Sequence, residues 1–266
     1  MADWDGRGLP PVARARVDRF ASSGLRTSLL SVPGAVGVEA AGFTPVGEVM
    51  GCIVERVGFY STLGMTVNDQ LAPYREALRH GYAMALERLK LEAKGIGADG
   101  VVGIKLSAKQ VGENTREFVA LGSAVRAETR QRPGTLFTTE LAGQDVGKLI
   151  QSGWVPATVA IGIGVLAYYS YNAQLQTTVW AGNTEVDAYT DLVTRVRANA
   201  RKEFRQKVKA SGADGAIVSR MSLSMWPLGD VALASVATVF GTAICQFHKG
   251  RTAPTSALTI LPLDKQ

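Results

Sequence analysis

Gly97-Ala98-Asp99-Gly100 leads directly into the apolar segment Val101-Val102-Gly103-Ile104-Lys105-Leu106. The same order returns 115 positions later, where Gly212-Ala213-Asp214-Gly215 leads into Ala216-Ile217-Val218. In both places a long stretch with helical periodicity precedes the turn. A glycine-rich turn between a helix and a buried strand, present twice, indicates an internal duplication that decides the architecture.

The repeat extends well beyond the turn. Across the preceding helix the spacing stays at 115 residues, and one apolar stripe coincides in both copies. The stripe comprises Leu78, Gly81, Ala85, Leu89 and Ala93 in the first copy, and Val193, Val196, Ala200, Phe204 and Val208 in the second. Upstream the spacing is 111, where Gly51 matches Gly162, and downstream it is 119, where Gly122 matches Gly241. The insertions that these changes require fall in loops, where they cost little.

Each copy has the element order β-α-β-β. The predicted fold is therefore α+β, a tandem duplication of this unit, with a mixed three-stranded sheet and one long helix per unit. We expect the strands on either side of the helix to run parallel through a right-handed connection, and the last two to form an antiparallel hairpin. The long helices are predicted at residues 72–94 and 186–210, with Gly95 or Gly97 as the left-handed cap of the first.

The 266 residues divide into five parts on this interpretation. These are a loosely ordered arm (1–27), the first unit (28–130), a linker (131–135), the second unit (136–248) and a polar tail (249–266). Residues 30–41 are predicted to open the first unit as a short, weak helix or a turn. Residues 139–152 are predicted to open the second unit as a short helix, with Thr139 as its cap. Residues 58–71 are predicted to form a loop.

Several strands are apolar on both faces, as at residues 101–106 and 232–237. Strands of this kind need cover on both sides, and one helix covers only one face of a sheet. A second copy or other subunits must therefore cover the other face. We expect the two units to pack as a pseudo-symmetric pair and the chain to form a homo-oligomer.

Two uncharged segments, residues 154–171 and 231–247, are long enough to be considered as membrane spans. Their counterparts in the first unit carry charges, among them Glu48, Arg56 and Arg116. Both segments are rich in Val, Ile, Thr and Gly, which is typical of strands. We interpret them as buried strands and do not expect a membrane partner. Membrane association through these two segments is kept as an alternative.

The net charge is +6, and much of the excess lies on the second long helix. Arg197, Arg201 and Arg205 follow one another at helical spacing, opposite the apolar stripe. This row could contact an anionic partner or a nucleic acid. A solvated helix face is the better interpretation by a factor of several, because aromatic residues are not interleaved with the row and no known nucleic-acid motif accompanies it. We therefore do not expect a nucleic-acid partner.

Residues that could bind a metal are few and scattered. The chain has two histidines, His80 and His248, and two cysteines, Cys52 and Cys245, without Cys-x-x-Cys or His-x-x-x-His spacing. The cysteines do not correspond between the copies, so a disulfide framework is absent. A reducing, cytoplasmic location is the simpler interpretation. No catalytic, cofactor-binding or metal-binding residue is predicted within one chain.

Asp99 and Asp214 recur at matching positions, as catalytic carboxylates could. An aspartate and a glycine just past a helix end also provide the hydrogen bonds and backbone angles of a turn. We prefer this structural interpretation, because no nucleophile–base pair or phosphate-binding loop accompanies either carboxylate.

At these motifs the chain resembles the YbjQ-like family, which carries a heavy-metal-binding label. The resemblance is carried by the two Gly-Ala-Asp-Gly turns and their strands, by Gly122-Ser123-Ala124-Val125, and by Gly241-Thr242-Ala243-Ile244. It implies a small, dodecin-like α+β domain that assembles into rings, typically pentamers, by strand exchange with its neighbours. Family members usually have one unit, whereas this chain has two.

The first functional hypothesis is a non-catalytic, ring-forming scaffold or binding protein that assembles through sheet edges and apolar faces. The alternative is a metal-binding protein whose ligands, such as Cys52 or His248, converge only between subunits. An enzyme is the hypothesis with the least support, because it would need a pocket with convergent polar groups.

Overall fold

The computed structural model describes residues 4, 8–23, 27–58, 71–129, 132–169, 185–228, 232–247 and 261–262. The predicted loop at 58–71 and the predicted tail therefore lie mostly outside the described residues. The helices are α1 (Pro11–Ser23), α2 (Val32–Ala40), α3 (Ala72–Gly95), α4 (Gly143–Gln151) and α5 (Asp187–Ala210). The strands are β1 (Phe43–Arg56), β2 (Gly100–Gly112), β3 (Thr115–Ala127), β4 (Phe137–Thr138), β5 (Trp154–Tyr169), β6 (Gly215–Leu228), β7 (Ala232–Gln246) and β8 (Leu261–Pro262).

The two halves of the chain repeat one another, which confirms the predicted duplication and the α+β class. The first sheet has the strand order β1-β3-β2-β4 and the second β5-β7-β6-β8. Helices α3 and α5 both have 24 residues, and their limits differ by the predicted spacing. Gly51 in β1 and Gly162 in β5 each lie against the backbone of the long helix of their own unit. A side chain at either glycine would collide with that helix.

The pairing within each sheet differs from the prediction in one respect. Strands β1 and β2 run in the same direction, as expected, but β3 lies between them and pairs antiparallel with both. The long helical connection spans two strand spacings, which leaves room for the returning hairpin strand. Each sheet also gains a two-residue fourth strand that the sequence did not reveal. Strand β4 pairs parallel with β2, whereas β8 pairs antiparallel with β6.

Helix α3 is enclosed between the two sheets. One side packs on the first sheet, where Gly81 contacts Phe118. The other side packs on the second sheet, and both sheets contribute to one apolar core with α3. Alternate residues of β5 divide between the helices: Ile161 and Ile163 belong to the core with α3, while Gly162 faces α5. The layers are therefore first sheet, α3, second sheet and α5.

This layering bears on two expectations about burial. The second sheet is covered on both faces within the chain, by α3 and α5, so its cover comes from the other copy of the unit, which is one of the two sources expected. The second expectation is wrong, because the two units do not form a pseudo-symmetric pair. Helix α3 packs between two sheets, whereas α5 packs on β5 and β7 of the second sheet and has an exposed opposite side.

The short helices α2 and α4 pack against each other through glycines. Gly37 contacts the backbone of Gln144 and Gly147, and Gly143 contacts the backbone of Gly34. Because these positions lack a side chain, the two helix backbones come close together. Val38 of α2 and Val146 of α4 join the apolar cluster that covers Val102 and Val125 of the first sheet.

The cap predicted for α4 is wrong. The helix begins after Ala142, and Thr139 lies upstream of it. The Thr139 hydroxyl instead makes a hydrogen bond of 2.9 Å with Thr242 and accepts one from the Leu141 amide. Thr139 is fully buried and continues the backbone pairing of β4 along β2. Pairing with a neighbouring strand has therefore prevailed over the local preference for a helix cap.

The N-terminal arm, predicted to be loosely ordered, contains α1. Arg16 of α1 forms an ion pair with Glu92 of α3, with Nε 2.6 Å from Oε1. Glu92 is buried, and its second oxygen accepts a hydrogen bond from the Met50 amide of the edge strand β1. The carboxylate thus satisfies a sheet-edge donor and holds α1 at the same time.

Both segments considered as membrane spans lie in strands of the second sheet. Residues 154–169 form β5 and residues 232–246 form β7. Among the described residues, none of the helices combines the length and apolar character required for a membrane span.

Candidate assembly surfaces

The two Gly-Ala-Asp-Gly turns have the same geometry. Gly97 and Gly212 both adopt φ +72°, in the left-handed region that favours glycine. Asp99 accepts a hydrogen bond of 2.8 Å from the Ala127 amide, and Asp214 accepts one of 2.9 Å from the Gln246 amide. These amides are matching positions near the ends of β3 and β7. Each carboxylate therefore ties the helix end to the returning strand. Ala98, Gly100, Ala213 and Gly215 complete the turns.

The first turn has additional partners. Arg132 lies 2.9 Å from Asp99 and also donates to the Gly97 carbonyl. Arg126 donates to the Ile96 and Gly97 carbonyls at the C-terminal end of α3. Cations near the C-terminal end of a helix interact favourably with its dipole, and their N–H groups donate to carbonyls that have no partner within the helix. The position that matches Arg126 in the second unit is Cys245.

The contact between α3 and the second sheet is built from aromatic rings. Tyr82 stands edge-on between Phe118 of the first sheet and Phe240 of the second, with ring centres 5.1 and 5.4 Å away. Burial raises the pKa of the Tyr82 hydroxyl. Tyr74 packs on Trp226 of β6 at 5.3 Å. Fully buried rings in edge-on contact are strong contributors to an interface.

An arginine connects the two sheets. The Arg220 guanidinium of β6 lies 4.3 Å from the centre of the Phe240 ring and donates a hydrogen bond of 3.1 Å to the Leu106 carbonyl of β2. Leu106 is thereby buried beneath the second sheet. This interface therefore contains a cation on its sheet side.

A second connection passes around the edge of β5. Arg79 of α3 forms two hydrogen bonds with Glu203 of α5, at 3.0 and 2.6 Å, and Lys207 approaches the same carboxylate to 3.2 Å. Burial opposes ionisation, but the bonds from Arg79 and the charge of Lys207 prevail and lower the pKa of Glu203. The hydrogen bond to Glu203 raises the pKa of Arg79.

A polar seam joins the segment after β4 to the second sheet. Thr138 lies 3.3 Å from the Thr158 hydroxyl, and Glu140 accepts a hydrogen bond from Ser219. Burial raises the pKa of Glu140, and the bond from Ser219 only partly opposes this. The segment that the sequence assigned to the start of the second unit thus contacts both sheets.

The arginine row of α5 lies on the surface. Arg197, Arg201 and Arg205 are exposed, and none of them makes an ion pair with a described residue. By the spacing of the repeat they match Tyr82, Leu86 and Lys90 of α3. Tyr82 and Leu86 are buried in the contact with the second sheet. The arginine row is therefore the counterpart of the surface by which α3 holds a sheet.

Strand β6 has an apolar stripe beside α5. Val218, Met221 and Met225 are 41%, 46% and 37% exposed. Met221 matches Leu106 of β2, which is 3% exposed because the second sheet covers it. Met221 therefore occupies a position that is buried in the first unit and open in the second. The counterparts of Val218 and Met225, which are Gly103 and Gln110, are not buried in the first unit.

The outer face of the first sheet, away from α3, is a third surface, and it is partly covered. Its residues Glu48, Met50 and Cys52 of β1 and Glu117 of β3 are half-buried. The Leu29 amide donates a hydrogen bond of 3.0 Å to Ser123, which lies opposite Glu48 in the sheet. The Cys52 thiol donates to Glu117 across 3.4 Å, and burial, together with that carboxylate, raises the pKa of the thiol. Cys52 and Cys245 are both free thiols.

The described residues do not fit a metal site. No group of three His, Cys, Asp or Glu residues comes together among them. The nearest approaches are pairs, Cys52 with Glu117 and His80 with Glu55 at 2.9 Å. Two donors fall short of the four that close a structural zinc site. His248, considered as an interface ligand, lies outside the described residues.

Comparison with known proteins places the chain in a family. The family model described as "Putative heavy-metal-binding" (YbjQ) matches residues 32–128. The chain is 31% identical over 264 residues to the "Encapsulin nanocompartment protein Rv1762c" of Mycobacterium tuberculosis, covering 96% of this chain and 98% of that one. The chain belongs to the YbjQ-like family.

Other YbjQ-like relatives are shorter. The chain is 32% identical over 85 residues to a UPF0145 protein of Enterococcus faecalis, which covers 30% of this chain and 82% of that protein. A UPF0145 protein of Thermotoga maritima is 30% identical over 91 residues, covering 31% of this chain and 86% of that protein. Relatives with one unit and a relative with the full length therefore both exist.

Sequence reasoning missed the contact between α3 and the second sheet. Its signal was present, because Tyr82 and Leu86 give α3 an apolar side in addition to the stripe that repeats in α5. Alignment of the two long helices would have revealed it, because Arg197 and Arg201 stand at these two positions in α5.

Proposed function

We propose that this YbjQ-like protein is a non-catalytic structural protein that assembles from copies of itself and contributes to a protein compartment. The observation that carries the proposal is its similarity, over nearly the whole of both chains, to a protein named for an encapsulin nanocompartment. A ring is the form of assembly that we propose, and the cytoplasm is the location, where free thiols such as Cys52 and Cys245 stay reduced.

The packing within the chain supports this proposal. The unit-to-unit contact joins two different surfaces, a helix with its neighbouring strand on one side and a sheet face on the other. A contact between two unlike surfaces can repeat from one copy to the next. It gives a closed ring when the rotation between successive copies adds up to a full turn. Exposed strand β6, which pairs with β8 only at Gly215 and Ala216, adds an open sheet edge among the described residues.

The test is the mass of the purified chain in solution. We expect light scattering at micromolar concentration to give a multiple of the 28.2 kDa chain mass. Negative-stain electron microscopy of the same sample should show closed particles. A sample that remains at the mass of one chain over the micromolar range would contradict the proposal.

A further inference from the structure

The contact between the two units inside the chain shows how the helix of one unit packs on the sheet of another. Helix α3 and β2 of the first unit present one surface, and the second sheet covers it. The cavity between them measures about 360 Å³, and its lining includes Tyr82, Leu86 and Lys90 of α3 and Val159, Ile161 and Ile163 of β5. These residues therefore define which positions of a helix face which positions of a sheet.

Among the described residues, counterparts of these two surfaces lie at opposite ends of the chain, the helical one exposed and the sheet one half-buried. The counterpart of the helical surface is the row Arg197, Arg201 and Arg205 with the apolar stripe of β6. The counterpart of the sheet surface is the outer face of the first sheet, where Glu48, Met50 and Cys52 match Val159, Ile161 and Ile163 at the spacing of 111. One end of the chain thus resembles a helix that lacks its sheet, and the other resembles a sheet that lacks its helix.

The substitutions at these positions are complementary in charge. Inside the chain, apolar Leu86 shares a cavity with apolar Val159. At the free ends Leu86 is replaced by Arg201 and Val159 by Glu48. A second carboxylate, Glu117, lies on the same sheet face. An apolar pair in the internal contact would become an ion pair in an external one. Lys105 of that face matches Arg220, a position at which the internal contact already holds a cation.

We propose that a second copy of this chain places the outer face of its first sheet on α5 and β6 of the first copy. Copies then stack in one direction, with Arg201 of one copy near Glu48 of the next, and with Met221 of the β6 stripe buried as Leu106 is buried inside the chain. The inference rests on the proposed self-assembly and names the surfaces that carry it. The arginine row gives the contact its specificity and the stripe gives it apolar area.

The experiment uses the full-length chain with single charge reversals, measured by sedimentation and light scattering. Arg201→Glu and Glu48→Arg should each raise the dissociation constant of the assembly by about tenfold or more, because each brings like charges together. Lys209→Glu is the matched control: it makes the same charge change on the same helix, but its counterpart Lys94 is exposed in the internal contact. This control should assemble like the wild type.

Mixing the two variants decides the geometry. An equimolar mixture of the Arg201→Glu chain and the Glu48→Arg chain should assemble, since every contact between unlike variants then joins opposite charges. Recovery in the mixture also shows that both variants are folded. If the wild type assembles and both reversals assemble as the control does, the proposed surfaces are wrong while self-assembly stands. If the wild type itself is a single chain, self-assembly and the proposed surfaces both fail.

Discussion

Helices α3 and α5 are copies of one element that occupy different environments. Both have 24 residues, both pack against a glycine of their own sheet, and both are followed by a glycine with φ +72°, Gly97 or Gly212. Helix α3 is enclosed by a second sheet, whereas the corresponding side of α5 is exposed. The side of each helix that packs on the sheet of its own unit is therefore apolar in both copies. The opposite side differs between the copies, as its surroundings do.

On the side of each helix that packs on the sheet of its own unit, a change in the size of a helix residue is matched by an opposite change in the sheet. In the first unit Gly81 of α3 makes room for Phe118 of β3. In the second unit the matching residues are Val196 and Ala237, so volume has moved from the sheet to the helix. Cores tolerate such exchanges when the total volume is preserved. The packing of each long helix on the sheet of its own unit is therefore the same in both copies, while the residues on the opposite side of the helix differ.

The largest expected effect tests the shared side of the two helices. A Cβ at Gly51 would lie 1.9 Å from the Ala85 carbonyl oxygen, and one at Gly162 would lie 2.1 Å from that of Ala200. We expect Gly51→Val and Gly162→Val each to destabilise the protein by about 3 kcal/mol or more, because both partners are backbone atoms. Urea unfolding followed by circular dichroism measures the loss.

The matched control is Gly134→Ala, where no atom lies within 4 Å of the added Cβ. It should change stability by less than about 0.5 kcal/mol. A mild effect at Gly51 combined with a severe one at Gly162 would mean that the two helices do not share one mode of packing.

The next effect tests the sides that differ. Tyr82→Ala removes a ring that is buried between Phe118 and Phe240, and we expect a loss of about 3 kcal/mol in the free energy of unfolding. Its counterpart Arg197→Ala removes an exposed side chain and should change stability by less than about 0.5 kcal/mol. Chemical denaturation of the two variants under conditions that keep the chain monomeric provides the comparison. Equal losses of stability in the two variants would contradict the conclusion that α3 is enclosed and α5 is not.

The smallest effect concerns the link between the two helices. Glu203→Gln should weaken the contact with Arg79 and cost about 1 kcal/mol at neutral pH. Because the pKa of Glu203 is lowered in the folded state, its contribution is complete above the usual glutamate pKa of about 4.3 and is lost as pH falls through the lower folded value. The stability difference between wild type and variant should therefore shrink below about pH 4.

Glu76→Gln serves as the control for this link, since Glu76 also contacts Arg79 but is largely exposed. Its effect on stability should be close to zero at every pH. A difference for Glu203→Gln that stays constant from neutral to acidic pH would contradict an ionised Glu203 as the partner of Arg79.

The sequence was a good guide wherever one unit determines its own structure. The limits of α3 and α5, the long hairpins and the Gly97 cap follow from periodicity and turn chemistry within about a hundred residues, the usual size of a domain. The class of fold and the duplication were predictable for the same reason. The Asp99 and Asp214 carboxylates bond to amides 28 and 32 residues further along the chain, but both partners belong to the same unit.

What the sequence did not reveal depends on partners far along the chain. Thr139 has the residue type of a helix cap, but its backbone pairs with β2 and its hydroxyl with Thr242 of the other unit. Helix α1 is held by Glu92, 76 residues from its partner Arg16. Strand β3 lies between β1 and β2 because of pairing that no local pattern specifies. The assembly surfaces became visible only when matching positions of the two units were compared in three dimensions.

The enclosure of α3 has a numerical consequence. Each chain contains two units that are linked covalently and packed against each other. A larger particle therefore gains two units with every chain that is added. Any closed particle built from whole chains must then contain an even number of units. Whole chains therefore cannot form a ring of five units, the number expected from the resemblance for proteins with one unit.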